Sequence, residues 1–67
     1  LESDLSGGNF NSADFSKSDL RRTAINGASL LNVNFKEANL AMSDLSGSDA
    51  SGASFNGANT YGTTIPR

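Results

Sequence analysis

The chain has 67 residues, a net charge of −2, 36% hydrophobic residues and neither His nor Cys. Disulfide stapling, zinc–thiolate sites and thiol or imidazole catalysis are thereby excluded, and no apolar run approaches the ~20 residues needed to span a bilayer. The length supports one small domain, close to the size at which a single compact core becomes marginal. So low a hydrophobic content, read alone, points to disorder; the placing of the apolar residues points the other way.

From the first quintet to the last, the centre of each fifth-residue step is occupied in strict register: Leu5, Phe10, Phe15, Leu20, Ile25, Leu30, Phe35, Leu40, Leu45, Ala50, Phe55, Thr60 and Ile65. Only Thr60 is not apolar, and all four Phe and both Ile fall on these positions. A fixed period predicts a solenoid in which each repeat packs only on its neighbours. Two residues before the centre every side chain is small, from Ser3, Gly8 and Ala13 through to Ala53, Ala58 and Thr63, with Val33 the largest. One residue before the centre stand Asp4, Asn9, Asp14, Asp19, Ala24, Ser29, Asn34, Asn39, Asp44, Asp49, Ser54, Asn59 and Thr64, nine of them Asp or Asn. The two positions after the centre hold six of the seven Gly. A large and a small residue three apart both point inward if the backbone turns a corner in every repeat. Asp and Asn suit such corners because they bond the local backbone, and Gly supplies positive φ where a type II turn needs it.

Other readings fit less well. Asn26-Gly27 and Asn56-Gly57 are type I′ hairpin dipeptides, but no period-2 alternation flanks them. Gly7-Gly8-Asn9 is similar to a calcium-binding nonapeptide roll, yet Phe10 and Ser12 stand where that motif needs Gly and Asp. Gly density and the wrong period exclude a helical bundle.

Quintets such as Ala13-Asp14-Phe15-Ser16-Lys17, Ala38-Asn39-Leu40-Ala41-Met42 and Ala58-Asn59-Thr60-Tyr61-Gly62 resemble the A-(D/N)-L-x-x signature of the pentapeptide-repeat proteins. The resemblance covers essentially the whole chain, 1–67, as a single solenoid. It implies an all-β, right-handed, four-sided parallel β-helix with about three coils of four pentapeptides. Ala24 and Thr64 at the Asp/Asn position, Gly8 at the small position and Thr60 at a centre depart from the pattern. The chain opens on Leu1 in mid-quintet, which reads as a processed or truncated piece of a longer protein. Neither end carries a visible cap; Pro66 alone stops ladder pairing.

Four quintets per coil sort the core into columns: Leu5/Ile25/Leu45/Ile65, Phe10/Leu30/Ala50, Phe15/Phe35/Phe55 and Leu20/Leu40/Thr60. Three Phe rings should then stack up one side. On the outside, Lys17 with Glu37 and Glu2 with Arg22 are expected as exposed ion pairs. Lys17, Arg21 and Arg22 form a basic cluster too small for nucleic-acid binding. Asp44 and Asp49 lie one quintet apart and face different ways, so neither paired-carboxylate catalysis nor a calcium loop is expected. The candidate interaction edge is Leu1, Arg21, Arg22, Ala41, Met42 and Tyr61, residue types common at interfaces.

These readings lead to a non-catalytic structural or protein–protein interaction module that needs no cofactor or metal. Its partner would be another protein or complex, with no nucleic acid, no membrane span, and end-to-end or edge oligomerisation open to it. The family resemblance adds two settings, the thylakoid lumen and the bacterial cytoplasm. It also adds an alternative role as a DNA mimic acting on DNA gyrase, which scattered acids and a net charge of −2 do not favour.

Overall fold

The structure, a computed structural model, describes residues 2–65; the expectations placed on Leu1 and Pro66 lie outside it. Every corner of the fold has the same local cause. Glu2 and the second residue after every centre from Leu5 to Thr60 have positive φ, thirteen positions in all, with values from 55° to 74°. Most corners close with a hydrogen bond from the N–H of the small residue to the C=O of the centre three before it, as Ala13 to Phe10 at 2.9 Å and Ala58 to Phe55 at 2.9 Å. That bond with φ > 0 at the third residue is the type II pattern. All six corner Gly sit on that third residue; the other seven positions force side-chain-bearing residues such as Lys17, Glu37 and Met42 into the left-handed region, at about 1–2 kcal/mol each.

The corner is reinforced by the residue before the centre. All nine Asp and Asn there accept the N–H two residues on with Oδ1, from Asp4 with Ser6 at 3.0 Å to Asn59 with Tyr61 at 3.1 Å. Those carboxylates are stabilised in their charged form. Asp4, Asp14, Asp44 and Asp49 are all held below the ordinary carboxylate value by backbone and side-chain hydrogen bonds from the Ser two residues on.

Successive circuits pair in parallel at a spacing of twenty residues, along four ladders: Asp4–Ala24–Asp44–Thr64, Asn9–Ser29–Asp49, Asp14–Asn34–Ser54 and Asp19–Asn39–Asn59. The four-sided parallel arrangement expected from the sequence is present, but the pairing consists of isolated bridges rather than strands. A turn occupies two of every five residues, which leaves each side too short for a continuous strand. The described part measures 20 × 19 × 19 Å.

Inside, the centres follow the same spacing of twenty. Phe35 stacks on Phe15 with centroids 5.7 Å apart and on Phe55 at 5.0 Å, while Phe10 meets Phe15 edge-on at 5.8 Å. Burial is uneven along each column. Leu20, Ile25, Leu30, Phe35, Leu40 and Leu45 are buried, whereas Leu5, Phe10, Phe15, Ala50 and Phe55 are half-buried. Thr60 and Ile65 are exposed, Ile65 to 44%. The cause is one-sided cover: among the described residues, an outer circuit has a neighbour on one face alone. Ala50 adds a local deficit, since its methyl group continues the Phe10/Leu30 column and leaves a groove of about 410 Å³ beside Phe55 and Ile65.

The interior also holds a polar device that no single quintet reveals. The small-residue column Ser3/Thr23/Ser43/Thr63 consists entirely of hydroxyl side chains. Ser43 Oγ donates to the C=O of Leu20 and accepts the N–H of Thr23 at 3.1 Å. Ser48 Oγ does the same one side further on, donating to Ile25 O and accepting Ala28 N–H at 3.0 Å. Each hydroxyl is thus inserted into the corner one circuit earlier, in place of the direct bond that closes most of the others. Thr63 Oγ1 likewise donates to Leu40 O. Among the described residues no buried side-chain polar atom lacks a partner, so hydrogen bonds offset the cost of taking these interior hydroxyls out of water.

Candidate interaction edge

The edge singled out in the sequence follows one corner of the tower. Its backbone is a ladder: Glu2 N–H donates to Arg21 O at 2.9 Å, Arg22 N–H to Ala41 O at 3.0 Å, and Met42 N–H to Tyr61 O at 2.8 Å. Because those amides are engaged, their side chains are what the edge offers to solvent. Arg21, Arg22, Ala41 and Met42, with Glu2, are brought together around an open groove of about 430 Å³. Tyr61 continues the edge below them but does not line that groove; Leu1 lies outside the described residues.

Arg21 is fixed. Its Nε donates to Asp19 Oδ1 at 2.8 Å and its Nη2 to Asp19 Oδ2 at 2.7 Å, a two-pronged pair on top of the Asp19 turn bond. The Arg21 side-chain hydrogen bond holds the Asp19 carboxyl down to about 2, assisted by the Arg21 backbone N–H and charge. Asp19 in turn raises the Arg21 guanidinium, first through that hydrogen bond and then through its charge. This pair forms where the sequence points to others. Among the described residues neither Lys17–Glu37 nor Glu2–Arg22 closes. Lys17, Glu37, Glu2 and Arg22 all occupy positive-φ corner apices, which hold their side chains out from the tower, while Arg21 sits one residue earlier, beside the carboxylate that already bonds its amide.

The apolar part of the edge is Met42, 55% exposed, and Tyr61, 78% exposed. A Cβ at Gly62 would stand 2.5 Å from Met42 Sδ, so the thioether lies back over a glycine that has no side chain to oppose it. Ala41 is half-buried beside it. The edge therefore presents a flexible thioether, a phenol and the outward Arg22 guanidinium around a rigid Arg21–Asp19 clamp. No group of three or more His, Cys, Asp or Glu gathers among the described residues.

The sequence profile of the pentapeptide repeats matches the chain over residues 2–30 and 28–63, in eight copies. Among solved structures, a pentapeptide-repeat protein from the Arabidopsis thaliana thylakoid lumen is 37% identical, with a TM-score of 0.80 over 94% of this chain and 47% of its own. A pentapeptide-repeat protein, Rfr23, from the cyanobacterium Cyanothece 51142 is 25% identical, with a TM-score of 0.82 over 98% of this chain and 51% of its own. The chain thus spans about half the length of these structures. Comparison with curated proteins gave no match.

Proposed function

Given that the chain belongs to the pentapeptide-repeat family, whose members are structural repeat proteins with a right-handed β-helix, we propose that it is a non-catalytic interaction module. It is a rigid post of about three coils of four pentapeptides that docks sideways on another protein. The observation that carries this reading is the exposure of Met42 and Tyr61 on one edge whose backbone amides are already paired. Large apolar side chains gathered beside an arginine, on a surface that does not need them for folding, fit an interface better than a solvated face. The likeness to a thylakoid-lumen protein favours a photosynthetic setting.

Replacing Met42 and Tyr61 together with Ser tests it. Native mass spectrometry of the protein isolated from its source should give a complex of defined mass, and the double variant should lose most of that complex while its melting temperature stays near the parent's. Unchanged complex formation would remove this edge from consideration.

The DNA-mimic alternative has no comparable support. It needs a dense array of free acids, and the described aspartates each turn one oxygen onto their own corner. Dose-dependent inhibition in a gyrase supercoiling assay would revive it.

A further inference from the structure

The thirteen corner apices with positive φ turn their side chains out from the tower. Six of them are Gly, six carry polar or charged side chains, and Met42, at φ 64°, is the one apolar residue among them. It is also the one sulfur-bearing residue of the chain. Circuits lie on both sides of it: the apex one circuit earlier is Arg22 and the apex one circuit later is Gly62. With both neighbours in place Met42 is still 55% exposed. A Cβ at Gly62 would stand 2.5 Å from Met42 Sδ, and glycine has none, so that flank of the sulfur is left uncovered. The backbone at Met42 is held, its N–H donating to Tyr61 O at 2.8 Å.

From this placement we infer that Met42 is a site of reversible oxidation by hydroperoxides, and that the sulfoxide it forms weakens docking at the edge. A lone pair of Sδ attacks the terminal oxygen of the hydroperoxide. An S–O bond forms and the O–O bond breaks; the sulfur gives up two electrons and the hydroperoxide accepts them. The proton on the transferred oxygen passes to the leaving oxygen, which departs as water or an alcohol. Susceptibility of a side-chain sulfur follows its exposure, and here the corner geometry itself sets the exposure.

The product replaces a flexible apolar group with a polar one. Its oxygen accepts hydrogen bonds in the groove that Met42 shares with Arg22, and Arg22 closes no ion pair among the described residues. An apolar partner surface seated on the thioether would then have to desolvate a polar group. That second half rests on the docking reading of this edge; the oxidation does not. Met42 stands outside the hydrophobic core cluster, so the fold should not register the change.

The test starts from the folded protein in dilute hydrogen peroxide, followed by intact mass and tryptic mapping. One oxygen should be added, and fragment ions of Glu37–Arg67 should place it on Met42 rather than Tyr61. The rate should lie within about threefold of the rate in urea, where nothing shields the sulfur. A folded rate more than about tenfold below that in urea, or a melting temperature lowered by oxidation, would overturn the inference. The docking half uses isotope-labelled chain, oxidised and then freed of peroxide, offered to the complex isolated from the source. Native mass spectrometry should show it exchanging into the complex about tenfold less than unoxidised labelled chain, with recovery after treatment by methionine sulfoxide reductase. Equal exchange would overturn that half. Absence of any complex would remove the docking reading and that half with it, while the mass shift still decides the oxidation.

Discussion

The middle of the tower and its outer circuits are built from the same quintet, yet they are different materials. Between Leu20 and Ser48 the centres are buried on both faces and the interior hydroxyls are locked into neighbouring corners; before and after, the same residue types are half-buried or exposed. Phe35 and Phe55 make the point within one stack: they touch each other at 5.0 Å, but only Phe35 has a ring on either side. In a solenoid, stability is a property of having neighbours, and position along the axis decides how much a given residue contributes.

The sharpest way to break this contrast is Phe35→Ala, which should cost about 3–5 kcal/mol and unfold a domain of this size, whereas Phe55→Ala should cost roughly half as much because part of its face already meets water. Equal losses in denaturant melts would show that burial along the axis is more even than the structure has it. The next contrast is between hydroxyls. Ser48→Ala removes the group that joins Ile25 O to Ala28 N–H and should cost about 1–3 kcal/mol, while Ser18→Ala, in an outer circuit and without such a bond, should be close to neutral. Gly62→Ala places a Cβ at φ 66° against Met42 Sδ; about 1 kcal/mol is expected, with the thioether displaced and partner capture altered if the edge is an interface.

The smallest effect is electrostatic. Five corner aspartates are held below their ordinary value of 3.8, Asp19 to about 2. A carboxyl depressed in the folded state contributes stability above its unfolded value and loses it as pH falls through the folded one. Melting temperature should therefore be flat from neutral pH down to the upper edge of the carboxylate range and decline only between 3.8 and about 2. Asp19→Asn should remove part of that decline, since Asn keeps the turn bond and loses the Arg21 charge pair.

Much of this is legible in the residues themselves. The fifth-residue period specifies the inward centres and the corner role of Asp and Asn, because each depends on spacing along a single polypeptide; the four columns and the Phe stack follow only once the family resemblance supplies four quintets per coil. The Ser43 and Ser48 insertions are not legible from one quintet; they depend on what lies a circuit earlier. Once seen, the signal is simple, since Ser43, Ser48 and Thr63 each donate to the carbonyl twenty-three residues before them. The ion pairs are misplaced by the sequence for a related reason. Stacking distance suggests Lys17 with Glu37, but the corner geometry of each residue decides where its charge goes, and Arg21 reaches the acid two residues away. The edge itself can be located from the sequence, though not the rigidity of Arg21 or the way Met42 rests over Gly62.

Pairing at a spacing of twenty, with four corners per circuit, has a consequence for how such a protein evolves. Insertion of a whole circuit leaves every later side chain on its original face. Insertion of a single quintet also preserves the inward pattern, because centres still follow at every fifth residue, but it turns everything beyond it by a quarter revolution. Surface and core are therefore decoupled in the genetic sense. A five-residue duplication between Met42 and Tyr61 would carry the phenol onto the adjacent face while the interior rule stayed intact, so the quintet acts as an indexing step by which a lineage can rotate one half of its surface against the other.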